Sequence, residues 1–340
     1  MIKRILIACC LVLVSTLFAR QSAKPNQPPS SWRGLIGEYT NGRETVYVRE
    51  DGGRLELASK QRAFIPLASI DDTAFAFLLS PLGVDELLRF TRRASGVGAA
   101  FSFGEKQFHR VNLDGEFGET FKIKTLKGID ELRALAFAAT PPLEKTNFLK
   151  PDLVELARLD STIRLDIRYA SANNFMGEKF YSQPRAFMQR PAADGLLKAH
   201  RWLNKRGYGL LIHDAYRPWY VTKMFWEATP ESQRIFVADP AKGSRHNRGC
   251  AVDLTLYEIA TGQPVEMVSG YDEFSERAYP HYAGGTSQQR WHRELLRTAM
   301  EANGFAVYEW EWWHFDFRGW EQYPIGTMKF EELQPRPLLR

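Results

Sequence analysis

The sequence predicts an α+β domain built on a largely antiparallel sheet, preceded by a small all-β, barrel-like domain. Three observations carry that expectation. The chain has 340 residues, 44% of them hydrophobic, enough to bury two cores. From Trp32 to about Lys124 the text is short alternating runs broken by turns, the pattern of small antiparallel barrels or curved sheets. From residue 151 onward, segments of helical period are interspersed with apolar, strand-like runs, so that helices and strands mix around a sheet.

The first 23 residues read as a secretory leader. Lys3-Arg4 precede an apolar run from Ile5 to Phe18, and small and polar residues follow. Fourteen residues are short for a membrane span and suit a signal peptide, cleaved near Ala19 or Ala23. The expectation is export to the periplasm or the extracellular space, with no stable membrane insertion once the leader is removed. An uncleaved leader, or a lipid attached through Leu6-Ile7-Ala8-Cys9, is the alternative. The formal charge is +5, and losing Lys3, Arg4 and Arg20 leaves about +2. That balance gives no reason to expect nucleic acid or an anionic membrane surface as a partner. Cys9 and Cys10 leave with the leader, so Cys250 remains alone and can form no internal disulfide. It stands in an apolar strand pattern and reads as a small core residue.

Residues 24–31 are a proline-rich polar spacer, and 32–124 form the accessory β domain. Its clearest signal is a hairpin: Thr45 to Glu50 alternates, Asp51-Gly52-Gly53 turns, and Arg54-Leu55-Glu56-Leu57 alternates back. Residues 125–150, with a short helix at Asp130 to Ala139 and then Pro141-Pro142, form the interdomain connection.

The second domain, 151–340, opens with strands at Leu153–Leu156 and Ile163–Tyr169. A helix from about Ala193 to Arg206 buries Leu196, Ala199 and Leu203 and stops at Gly207. Gly209 to Ile212 is a buried strand that leaves as the loop Asp214-Ala215-Tyr216-Arg217-Pro218. Another helix, Gln288 to Asn303, is capped by Thr286 or Ser287, faces inward with Trp291, Leu295 and Ala299, and stops at Gly304. Phe305 to Tyr308 begins the last strand.

The chemistry concentrates around Gly243-Ser244-Arg245-His246-Asn247-Arg248-Gly249, which feeds the strand Cys250 to Leu256. Alternation puts Asp253 on the less apolar face of that strand, seven residues after His246. A carboxylate there needs a partner, and a cation fits when an imidazole lies nearby. With His314, from Glu309-Trp310-Glu311-Trp312-Trp313-His314, the set becomes two imidazoles and one carboxylate. That is the ligand number of a catalytic zinc, whose bound water ionises near pH 7. Glu311 is the candidate general base, which requires a turn or bulge at Trp312-Trp313 to bring it to the same side as His314. Glu309 is the rival base. Arg217, held extended before Pro218, is the candidate to stabilise an oxyanion. His109, His200, His213, His281 and His292 read as surface or packing residues.

Ser244-x-His246-x-x-Gly249-x-Ala251-x-Asp253, Tyr216-Arg217-Pro218 and Glu311-Trp312-Trp313-His314, in this order, resemble the motifs of the zinc-dependent D-alanyl-D-alanine dipeptidases of the VanX type. The likeness extends from about Leu153 to Leu333 and includes Tyr169-Ala170-Ser171-Ala172-Asn173-Asn174-Phe175-Met176-Gly177. It implies one zinc ion held by His246, Asp253 and His314, Glu311 as base and Arg217 steadying the transition state. It further implies Asp272 as the holder of the substrate's free ammonium, with Ser244 near the substrate. The segment Met267-Val268-Ser269-Gly270-Tyr271-Asp272 departs from the family's usual Met-Gly-Thr-x-Phe-Asp. The amino-terminal domain resembles lipocalin-like accessory domains of some secreted bacterial hydrolases, through Leu35-Ile36-Gly37-Glu38-Tyr39, Val46-Tyr47-Val48 and Phe108-His109-Arg110. The implied substrate is a D-amino-acid dipeptide or a muropeptide. Two rival readings are a peptidoglycan D,D- or L,D-carboxypeptidase or endopeptidase, and a non-catalytic, zinc-stabilised module that binds cell wall.

Overall fold

A computed structural model describes residues 23–59, 63–78, 87–144 and 147–333. Almost all of the expected leader therefore lies outside the described residues. No helix among those described is long and apolar enough to cross a membrane.

After a short helix, α1 (Ser30–Arg33), eight antiparallel strands close into a barrel: β1 (Gly37–Thr40), β2 (Thr45–Asp51), β3 (Arg54–Ser59), β4 (Ile65–Ser69), β5 (Ala74–Phe77), β6 (Leu87–Arg92), β7 (Gly98–Phe103) and β8 (Lys106–Arg110). β8 returns to β1 with Arg110 opposite Tyr39. The predicted Asp51-Gly52-Gly53 hairpin joins β2 and β3, with Asp51 opposite Arg54. The alternate, inward residues fill the barrel: Tyr39, Phe75, Phe90, Phe101 and Phe108 pack with Leu35, Val46, Val48, Leu55, Leu67 and Leu88. An eight-stranded barrel is narrow enough for side chains to do so.

The second domain has a five-stranded sheet in the order β10 (Arg164–Leu165), β12 (Tyr208–Asp214), β13 (Ala251–Glu258), β15 (Glu311–Phe317), β14 (Phe305–Tyr308). β10 runs parallel to β12 and the other pairs are antiparallel. A small second sheet pairs β9 (Leu153–Glu155) with β11 (Phe187–Gln189). The helices are α2 (Ile129–Ala138), α3 (Leu156–Leu159), α4 (Arg190–Asn204), α5 (Trp219–Ala228) and α6 (Ser287–Glu301). On α6, Thr286 and Gln289 form a reciprocal capping box, which satisfies two orphan donors of the first turn.

Two features depart from the sequence expectation. The strand expected at Ile163–Tyr169 is limited to Arg164–Leu165, because after Asp166 N–H donates to Ile212 O at 2.9 Å the chain turns into a 3-10 segment, Arg168–Ala170. That turn buries Tyr169 at 2% exposure. β13 is also more enclosed than an alternating strand: Ala251 to Tyr257 are all buried. Its neighbours on both edges are paired, so even Asp253 and Thr255 are removed from water.

Candidate functional site

The positions of His246, Asp253 and His314 follow from the sheet. β13 and β15 pair with Asp253 directly opposite His314, which brings their Cβ atoms within about 5 Å. His246 reaches them from the turn that feeds β13. That turn depends on Gly249, whose φ is +68° and where an added Cβ would lie 2.5 Å from Leu153 Cδ2. Only glycine takes that conformation without strain and leaves the necessary space.

The three side chains present one atom each to a common centre. His314 Nδ1 is 3.0 Å and His246 Nε2 3.3 Å from Asp253 Oδ1, and the two nitrogens are 3.2 Å apart. Asp253 Oδ1 is buried and accepts no hydrogen bond of good geometry. Such an oxygen is costly unless a cation faces it.

The outward atoms of all three are held. His246 Nδ1 donates to Ala215 O at 2.7 Å, and His314 Nε2 donates to Asp316 Oδ1 at 2.9 Å. Tyr271 Oη donates to Asp253 Oδ2 at 2.9 Å. These bonds fix both tautomers so that the inward nitrogens present lone pairs, the arrangement typical of metal-ligating histidines. Burial alone would raise the Asp253 carboxyl, but the facing imidazoles, His246 foremost, pull it well below the usual range. Burial likewise works against charge on His314, and Asp316 and Asp253 more than reverse it.

Glu311 reaches the same centre, with Oε2 3.7 Å from His314 Nδ1. The β14–β15 register makes this possible: Val307 pairs with Phe315, yet the next residue, Tyr308, pairs with Glu311. The three intervening residues, Trp312 to His314, bulge out of the ladder and re-aim the strand. Burial, only partly offset by His314, pushes the Glu311 carboxyl up to about 7. Glu309 is exposed, accepts from Trp310 Nε1 at 3.1 Å and does not line the cavity.

Arg217 enters from the loop after β12. Its Nε and Nη2 lie 2.9 and 2.8 Å from Asp214 Oδ2, and its backbone N–H donates to His246 O. Asp214 is fully buried and also accepts from Tyr181 Oη. Burial opposes the Arg217 charge, and Asp214 more than restores it. Asp272 lies across the cavity, where Tyr169 Oη donates to Oδ2 at 2.9 Å. Burial, then Asp253 and Glu311, raise its carboxyl well above the usual range. Ser244 Oγ accepts from His246 N–H at 3.2 Å.

All seven residues singled out in the sequence, Arg217, Ser244, His246, Asp253, Asp272, Glu311 and His314, line one cavity of about 170 Å³. That is below the roughly 300–1,000 Å³ of sites for drug-sized ligands. Phe175, Phe225, Phe236 and Phe274 form much of its apolar wall. The sequence reading missed the supporting residues Tyr169, Tyr271, Asp214 and Asp316. Tyr169, Tyr271 and Asp214 stood within stretches already noted, but nothing local marks a phenol or a carboxylate as a hydrogen-bond partner of a residue far off in the chain.

The family model for D-Ala-D-Ala dipeptidases, peptidase M15, matches residues 150–331. A D-alanyl-D-alanine dipeptidase of Escherichia coli (strain K12) is 34% identical, the alignment covering 53% of this chain and 91% of that protein. One from Enterococcus faecium is 38% identical, covering 49% of this chain and 92% of the relative. A third, from Enterococcus faecalis, is 34% identical with the same coverage. The barrel precedes the matched residues.

Proposed function

The chain belongs to the D-Ala-D-Ala dipeptidase family of M15 peptidases, and from that premise we propose that it is a zinc metallopeptidase hydrolysing the D-Ala-D-Ala dipeptide. His246, Asp253 and His314 hold one zinc ion, Glu311 is the general base, and Arg217 stabilises the oxyanion. The observation that carries the reading is the buried, unbonded Asp253 Oδ1 facing His246 Nε2 and His314 Nδ1. Two imidazoles and a carboxylate, each with its outer atom tied down, suit a catalytic zinc with an open position. Zinc would supply Lewis acidity, polarising the scissile carbonyl and making a water acidic enough to attack at neutral pH.

The protein's own groups do the rest. Asp272, opposite the metal-binding side chains, takes the ammonium of the dipeptide and so fixes its register. Arg217 is held rigid by Asp214 and offers its charge to the carbonyl oxygen as negative charge develops there. Glu311 accepts a proton from the attacking water and delivers it to the departing amine, a task suited to a carboxyl raised toward neutrality by burial. The phenylalanine wall limits water around these charges.

The expected leader supports export, to the periplasm or the extracellular space. There the substrate is the free dipeptide or a small peptide released from the wall. The experiment is amine release by the zinc-loaded protein from D-Ala-D-Ala and from its N-acetylated form, each with a chelator control. Cleavage of the free dipeptide alone, abolished by chelation, is the expected result. Cleavage of the blocked form would reassign the protein as a carboxypeptidase, and silence on both would leave a zinc-stabilised wall-binding module.

A further inference from the structure

Residues 259–286 connect β13 to α6 and carry Tyr271 and Asp272. Asp272 has φ +59°, the left-handed region that a non-glycine residue occupies only when its surroundings enforce it. On the cavity side Tyr169 holds its carboxylate. On the other side the segment is held by the barrel.

The barrel's grip is concentrated on β1 and β2. Tyr282 Oη donates to Glu38 Oε1 at 3.1 Å, and its ring meets that of Tyr47 edge-on at 6.2 Å. Arg49 Nη1 donates to Ala283 O at 3.2 Å, and Glu50 N–H donates to Gly285 O at 3.1 Å. The Glu50 carboxylate is fully buried and accepts from Ser287 N–H and Ser287 Oγ, both at 2.8 Å. It thus sits on the first turn of α6, where the helix dipole favours an anion. Arg290 from the same helix donates to Glu50 O at 2.9 Å and to Asp51 Oδ1 at 2.6 Å. A fully buried carboxylate is expensive unless these donors stay in place, so the barrel and the start of α6 are locked together.

We infer that the barrel braces the substrate-binding segment: Glu50 and Tyr282 are positioning residues that hold 267–286, and through it Asp272, in the geometry that receives the substrate's ammonium. The inference rests on the ammonium role given to Asp272 above. It assigns a task to the domain that precedes the family match, namely control of affinity for the free dipeptide.

The test uses the full chain with Glu50→Ala, the milder Glu50→Gln, Asp272→Asn and the Glu50→Ala/Asp272→Asn double variant. Hydrogen exchange is followed across 267–286, alongside KM and kcat for D-Ala-D-Ala. Losing the buried Glu50 carboxylate and its contacts to α6 is expected to speed exchange in 267–286 and to raise KM about ten-fold, with kcat within about two-fold. In the Asp272→Asn background the same Glu50 change should add little to KM, because the residue it acts through is already lost. A merely structural role would raise KM by the same factor in both backgrounds, and that result overturns the inference. Wild-type exchange rates in 267–286 of Glu50→Ala also overturn it. Should Glu50→Ala fail to fold, Glu50→Gln keeps one acceptor oxygen and is held to the same criteria. A wild-type protein silent on D-Ala-D-Ala would sink the proposed function, while the exchange measurement would still decide the brace.

Discussion

Asp316 offers a quantitative handle on the proposed metal site because it touches a ligand and not the substrate. Its Oδ1 accepts from His314 Nε2 at 2.9 Å, and its Oδ2 lies 3.1 Å from Arg245 Nη1. The residue is 9% exposed, so the bond is shielded and its charge counts. In Asp316→Asn an amide oxygen can still accept from Nε2, and what is lost is the charge assistance. Charged hydrogen bonds contribute about 1.5–3 kcal/mol against about 0.5–1.5 for neutral ones. The difference, roughly 1.4 kcal/mol, is about ten-fold in zinc Kd. Asp316→Ala removes the acceptor, leaving a buried N–H unmatched and the imidazole free to turn, so Kd should rise toward ~100-fold. Competition titration against a chromophoric chelator at fixed pH reads both values. If both variants bind zinc within two-fold of wild type, or in the reverse order, His314 does not ligate through Nδ1 under the control of Asp316.

The remaining expectations are briefer. Glu311→Gln keeps the shape of the side chain while removing the base, so kcat should fall by about 10²–10⁴ with zinc content unchanged; kcat within ten-fold of wild type would refute the assignment. Leu254→Ala empties a fully buried position on the central strand and should cost about 2–5 kcal/mol in urea unfolding. His292 is buried and its pKa is lowered from 6.5 to about 4, chiefly by desolvation. The unfolded imidazole binds a proton below 6.5 and the folded one does not until about 4. Stability is therefore full above pH 6.5 and is lost as pH falls toward 4, by roughly 3 kcal/mol. Unfolding curves at pH 7.5 and 4.5 should show this loss in the wild type and a shallower one in His292→Gln; identical pH slopes would exclude His292 as the cause.

How much of the protein could be read from its residues depended on whether the signal was local. The hairpin at Asp51-Gly52-Gly53, the Thr286 cap and the Gly304 stop are chemical signatures confined to a few neighbours, and the structure has the turn, cap and helix end where they were expected. α5 (Trp219–Ala228) left no such mark. It has no side-chain cap, and its Trp, Tyr, Val, Thr and Phe residues are indifferent helix formers. Packing makes it a helix, through Val221, Met224, Phe225 and Ala228 in the main core. At the site, the identities of Asp253 and His314 were legible because their residue types are suggestive. Their pairing across β13 and β15 is a matter of register between strands some sixty residues apart, whereas the bulge that re-aims Glu311 lies between the neighbouring strands β14 and β15, at the position where the motif required one.

The supporting carboxylates show why the site needs more than its motifs. Asp253, Asp272 and Glu311 face one small cavity with Asp214 just behind it, and Arg217 lies among them while Arg245 also lines the cavity. Arg217 already lies against Asp214, which offsets part of its charge. Burial, with Asp253 and other carboxylates nearby, pushes Asp272 and Glu311 upward, which is the electrostatic signature of a site poised for cations. A dication held between His246, Asp253 and His314, as proposed, would answer one part of that imbalance. In the proposed function, the ammonium of a free dipeptide at Asp272 would answer another, and an N-acylated peptide could not. Under the proposed function, selection for a free amino terminus would follow from charge: blocking the ammonium would leave Asp272 buried against an uncharged amide, a loss that the apolar wall has no means to offset.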